Sequence, residues 1–174
     1  MWQTEHNRLW IQTDNQQVAE VFAGRSCLDA DYWRPLCIRI GRLLQQVLGQ
    51  GFRPLTDTSD LVLWDAREYN TYADHCANMA LDLEVDWNRT DETAIKEAKA
   101  RKSNFRLSVD GALRGSGKAS GGVALFAYYP SGRRELLFRA GVGFGQLQSA
   151  FLAEMLAIEW GLQEFVILMN KVSL

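Results

Sequence analysis

Residues 105–111 read Phe105-Arg106-Leu107-Ser108-Val109-Asp110-Gly111. Apolar and polar side chains alternate up to Val109, the period of a half-buried strand, and the alternation breaks at an acid followed by a glycine. A strand ending at Asp110 puts a carboxylate at a sheet edge, and Gly111 leaves room for a second backbone to approach. Further on, residues 123–129 form an apolar run rich in β-formers, and Pro130-Ser131-Gly132 is a turn. Residues 135–138 return as the hairpin partner, and Gly141, Gly143 and Gly145 close this sheet region. A long helix is expected over 149–166, where Leu152, Met155, Leu156, Ile158, Leu162 and Phe165 spread apolar surface.

On the N-terminal side, residues 8–13 (Arg-Leu-Trp-Ile-Gln-Thr) read as a short buried strand ending at Asp14. A brief helix over 17–23 closes at Gly24, and Pro35 starts a clearer one in which Leu36, Ile40, Leu43, Leu44 and Val47 fall at helical spacing. Residues 61–64 are another apolar strand, 65–71 a polar loop, and 72–81 a short helix. Residues 82–103 are mostly charged or small and read as a linker, helical in part, with Thr90 or Asp91 as its cap. The order is β-α-α-β-α, linker, β-β-β-α, which predicts an α/β fold: a mixed sheet flanked by helices.

A chain of 174 residues lies within the single-domain range of about 100–200 and is long enough for a real core. Its formal net charge of −2 argues against a protein held to nucleic acid by phosphate contacts alone. A metal-dependent nuclease tolerates that balance, because its cations partly neutralise substrate and carboxylates. Cys27, Cys37 and Cys76 lack zinc-ligand spacing and read as reduced packing residues. No signal-peptide pattern opens the chain and no run approaches ~18 apolar residues, so a soluble intracellular protein, cytoplasmic or nuclear and without a membrane partner, is expected.

Four acids stand at element ends: Asp110 and Asp14 after strands, Glu154 one turn into the long helix, and Asp74 in the first turn of its helix. If the strands of Asp110 and Asp14 lie parallel and adjacent, both carboxylates emerge at the same sheet edge, where open α/β sheets bind ligands. Like charges there need a counterion, and hard divalent cations with oxygen ligands supply one. Two Mg²⁺ about 3.5–4 Å apart suit phosphodiester hydrolysis. Taken singly, each acid has a plainer explanation, as a turn residue, a helix cap or a solvated helix side chain.

Together these residues resemble the type 1 ribonuclease H family, in its plant and retroelement style. Val109-Asp110-Gly111-Ala112, Gly121-Gly122-Val123 and Ser149-x-x-x-Ala153-Glu154 with residues 156–162 are similar to that family's first half. Thr13-Asp14-Asn15-Gln16 resembles its fourth strand end, and residues 64–78 its fifth strand, loop and last helix. The family order places 104–174 before 8–81, so the resemblance implies one ribonuclease H-like domain over 1–174 with permuted chain order. In it, 1–81 is the later half of the fold, 82–103 a linker and 104–174 the earlier half. The same acids also assemble if two chains swap halves as a homodimer.

The resemblance implies a Mg²⁺-dependent endonuclease, with Mn²⁺ as a substitute, that cuts the RNA strand of RNA–DNA hybrids. Asp110 and Asp14 would hold two ions, Glu154 and Asp74 would complete their shells, and Gly111, Asn15, Gln16, Ser149, Asn70 and Arg67 would contact substrate. Two features depart from the pattern. The loop before Asp74 has no His, only His75 following, and the stretch 27–48 holds little Lys or Arg. Lys96, Lys99, Arg101, Lys102 and Arg106 either take over the grip on substrate or form a solvated face. The alternative is a non-catalytic ribonuclease H-like module, structural or nucleic-acid-binding, of a retroelement-like polyprotein. A third, different nuclease or integrase relative of the same superfold fits Asn70, Ala73-Asp74 and Ala153-Glu154 less well.

Overall fold

The computed structural model describes residues 6–25, 30–55 and 61–173. Its first elements are β1 (Arg8–Thr13), α1 (Gln16–Phe22), α2 (Ala30–Gly49), β2 (Arg53–Pro54), β3 (Val62–Trp64), a 3-10 turn (Arg67–Tyr69) and α3 (Thr71–Leu83). There follow β4 (Trp87–Thr90), α4 (Glu92–Ala100), β5 (Asn104–Leu113), β6 (Lys118–Tyr128), β7 (Arg134–Gln146) and α5 (Ala150–Lys171). The strands make one mixed sheet in the order β2-β1-β5-β6-β7-β4, with β3 pairing β1 beside β2. β1 runs parallel to β2, β3 and β5, whereas β5, β6, β7 and β4 are each antiparallel to the next in that order. The fold is α/β, as the alternating patterns predict.

Side-chain parity decides what covers each face. Leu9, Ile11, Phe105, Leu107, Val109, Val123 and Leu125 point to one side, where α1, α2, α4 and α5 bring Val18, Ile40, Ile95, Ile158 and Phe165 into the same cluster. Phe52 and Phe165 meet edge to face there at 5.0 Å between ring centroids. The opposite face carries α3. That helix lies so close that a Cβ at Gly122 would sit 2.0 Å from the Ala73 carbonyl oxygen, and one at Gly141 2.4 Å from that of Cys76. On the first face α5 approaches equally tightly, and a Cβ at Gly111 would be 2.3 Å from the Ala153 backbone.

Several boundaries differ from the sequence expectation, each for a physical reason. Asp110 does not end its strand, because β5 continues to Leu113 along β6, with Asp110 opposite Gly122. Only its pairing with the parallel strand β1 stops short, at Gln12 opposite Ser108. Gly141, Gly143 and Gly145 do not close the sheet region either. They lie inside β7, where the missing side chain at Gly141 admits α3. The segment 82–103 is more than a linker: β4 adds an edge strand against β7, and α4 follows it, capped by Asp91 accepting from the Ala94 N–H at 3.0 Å. Strand-forming character was hidden there because an edge strand exposed on most positions carries no apolar run. α2 begins before Pro35, its early turns tied down by Trp33 packing edge-on against Phe151 at 5.1 Å. Cys37 and Cys76 are free thiols, and Cys27 lies outside the described residues.

Gly122→Ala should destabilise the protein by about 1–3 kcal/mol, since α3 must move off the sheet to admit a methyl group. Gly41→Ala, on α2 with nothing within 4 Å of the added Cβ, should stabilise it by up to about 1 kcal/mol through helix propensity. Urea denaturation midpoints of the two variants check both signs.

Candidate metal centre

Asp14, Asp110 and Glu154 come from three elements and converge: one ligand oxygen of each lies within 4.8 Å of the others. The register explains the first pair. Gln12 is opposite Ser108 in the parallel β1–β5 ladder, so two residues further on Asp14 and Asp110 emerge on the same side where β1 ends. Glu154 arrives because Ser149 caps α5, accepting from the Leu152 N–H at 3.2 Å, and because Gly111 lets the helix start touch the strand. An open cleft of about 460 Å³ lies over the cluster, lined also by Asn15, Arg67, Asp74, Asn78 and Gly111.

Asp110 is 3% and Glu154 7% exposed. Burial, first, and then the neighbouring charges of Glu154, Asp14 and Asp74 push the Asp110 carboxyl well above the usual carboxylate range. Burial and then Asp14 raise Glu154 as well, opposed by the Gly111 N–H, Asp110 and Arg67. Between two full charges 4.8 Å apart the repulsion is on the order of 3–4 kcal/mol at an effective dielectric constant of 20. The cluster therefore holds protons or cations. Arg67 alone does not neutralise it. Its guanidinium reaches Asp14 at 3.7 Å and Asp74 at 3.5 Å, but its side chain is 79% exposed, and such contacts are worth about 0–1 kcal/mol.

A hard cation fits these donors. Oxygens around one octahedral Mg²⁺ are about 3–4 Å apart, so a slight contraction of the acidic group would seat one. Glu154 Oε2 is buried with no hydrogen-bond partner, a free ligand oxygen inside the cluster. Asp74 stands outside the three-carboxylate group but on the wall of the same cleft.

The other expected substrate residues divide. Asn15, Gly111 and Arg67 line the cleft, although Asn15 also caps α1 through the Val18 N–H at 3.1 Å. Gln16 sits within α1, exposed, donating to Glu20, and Ser149 is spent on capping; neither lines the cleft. Asn70 is buried at 1% exposure and donates to the Val109 carbonyl at 2.8 Å. It anchors the strand of Asp110 rather than facing substrate. The basic cluster at 96–106 splits. Arg101 pairs with Glu97, Lys99 donates to Ser173, and Arg106 lies on the opposite sheet face from α4.

Sequence reasoning missed Gln12. Buried in β1, it donates to Asp65 at 3.1 Å and to the Tyr69 carbonyl at 3.2 Å, and accepts from Ser108 at 3.3 Å. It locks the 65–70 loop, and with it Arg67, to the two strands that carry Asp14 and Asp110. The available signal was a polar residue interrupting a buried strand, which must find partners. No protein-family model matches the chain and no curated protein matches it.

The raised carboxyls set a pH dependence for the metal-free protein. The folded state retains protons that the unfolded chain gives up near pH 4, so stability falls as pH rises above that range. Asp110→Asn removes one such carboxyl and with it the cost of keeping it protonated. In metal chelator at pH 8 its thermal midpoint should exceed the wild type's, and millimolar Mg²⁺ should raise the wild-type midpoint while leaving the variant almost unchanged. Identical melting curves for the two proteins under both conditions would mean that the cluster is not a cation site.

Proposed function

We propose that this chain is a divalent-cation-dependent nuclease of the ribonuclease H kind that hydrolyses the RNA strand of RNA–DNA hybrids. The observation that carries it is the convergence of Asp14, Asp110 and Glu154, with Asp74 beside them, at one sheet edge under an open cleft. Support for the permuted order comes from the sheet. The hairpins β5-β6-β7 followed by α5 match the expected first half, and β1 and β3 lie parallel beyond β5, in the position expected for the fourth and fifth strands. All four acids reach the same cleft within one chain, so the permuted order needs no second copy to complete the site.

Asp14, Asp110 and Glu154 are the residues that would hold cations, with Asp74 completing the shell. Bound there, two Mg²⁺ would supply Lewis acidity to an attacking water and a leaving oxygen. The chain's own contributions are positional. Asn70 and Gln12 fix the backbone of both acid-bearing strands, and Gly111 sets how near Glu154 comes. Arg67, exposed on the cleft wall, is free to turn from Asp14 and Asp74 to an incoming phosphate. A structural module would gain nothing from buried carboxylates that destabilise each other, and this favours chemistry over scaffolding.

Full-length protein incubated with an end-labelled RNA–DNA hybrid should cut the RNA strand only when Mg²⁺ or Mn²⁺ is present. Asp110→Asn should lose activity by more than the roughly 10–100-fold typical of changes outside the ligand set. Absence of cutting by the folded wild type with either cation would reject the nuclease and leave a binding module.

A further inference from the structure

The face of the sheet that carries α3 is only partly covered. α3 crosses it over Gly122 and Gly141, near the metal centre. Toward the opposite ends of the strands, the paired registers place Trp10 beside Arg106, Arg106 beside Phe126, and Tyr128 beside Arg134, all on this face. α3 reaches the edge of this patch through Tyr72, whose ring meets Phe126 edge to face at 5.3 Å, while α1, α2, α4 and α5 belong to the core on the other side.

These side chains form an arginine–aromatic platform. The Arg106 guanidinium stands 4.5 Å over the Phe126 ring and 5.6 Å from that of Tyr128, and Arg134 is 5.7 Å from Phe126. Trp10 and Tyr128 are 5.3 Å apart with their planes tilted by 39°. Phe126 is buried under these neighbours and Tyr72, while Trp10 and Tyr128 are partly open and Arg134 is exposed. Neither Arg106, Arg134 nor Arg139, on the same face, makes an ion pair among the described residues. Arg106 Nε is buried with no hydrogen-bond partner. Asp65, the carboxylate that acts on Arg106, is already bound by Gln12 and by the Ala66 N–H.

A half-buried cation without an anion is costly, so its partner is expected to come from outside the chain. The partner must offer anions together with flat π faces. A double helix shows its phosphates but hides its base faces in the stack, and an acidic peptide lacks the faces altogether. Unpaired nucleotides offer both. We propose that this platform binds single-stranded nucleic acid, with bases stacking on Trp10 and Tyr128 and phosphates meeting Arg106, Arg134 and Arg139. None of its residues lines the acidic cleft, so the proposal goes beyond the nuclease and holds whether or not the cleft cuts. It also reconciles a net charge of −2 with a nucleic-acid partner, because the positive charge is local rather than global.

The test is fluorescence anisotropy of the full chain with labelled oligothymidine and oligouridine of about 12 nucleotides, in EDTA at low salt. Tyr128→Leu keeps apolar bulk but removes the π face, and should weaken binding at least about five-fold. Arg134→Ala, at an exposed position, should lower the slope of log affinity against log salt by about 0.7. Absence of binding by the folded wild type overturns the proposal. So do unchanged affinity in both platform variants and equal competition by a duplex of the same length. Cleavage of hybrid plays no part in this readout, so the two proposals fail separately.

Discussion

The parallel pairing of β1 with β5 is the constraint on which the rest of the molecule depends. Five register pairs, from Arg8 opposite Asn104 to Gln12 opposite Ser108, tie together stretches almost a hundred residues apart in the chain. A parallel ladder cannot be closed by a hairpin, so everything between these strands serves as a long crossover, and the closure entropy must be offset by burial. That burial is supplied by Leu9, Ile11, Phe105 and Leu107, which the same ladder directs into the main core. Slipping the register by one residue would turn these apolar side chains outward and part Asp14 from Asp110 together.

Electrostatics then works against the structure and packing works for it. Asp110 and Glu154 are buried, face each other and Asp14, and are raised in pKa chiefly by loss of water. Such an arrangement persists only where the surrounding framework over-determines it. Here the framework is a set of short fixed links: Asn70 to the Val109 carbonyl, Gln12 to Asp65 and Tyr69, the cap of Ser149, and the backbone contact of Gly111 with Ala153. None of these residues needs to touch a substrate to matter for the site.

The two faces of the sheet have different duties. Four helices bury one face and make it the stabilising core, while a single helix set down on glycines covers part of the other. Among the described residues a lone helix leaves part of that face open, and there the chain places aromatic rings and arginines without an ion pair instead of an ordinary polar surface. An overall acidic balance is therefore a poor guide to what this molecule touches, because the acids gather at one end of that face and the cations at another.

Much of this was legible in the residues themselves. Period-2 alternation in 105–109, the apolar runs and the cap at Asp91 are local properties, and local physics determines them: strand and helix periods, φ preferences and the orphan amides of a helix start. The four acids could also be picked out one by one, although Asp110 lies inside β5 and not at its end. What only the tertiary structure decided is which groups meet. Whether Asp14 lies beside Asp110 depends on a register between distant strands. Whether Asn70 faces substrate or the Val109 carbonyl depends on how the loop folds back, and β4 becomes a strand only because β7 offers it an edge. Gly141 of β7 reads as punctuation in one dimension because its role, admitting α3, involves a helix more than fifty residues earlier in the chain. Pairing and close packing are relations between segments, and a pattern within one segment carries no record of its partner.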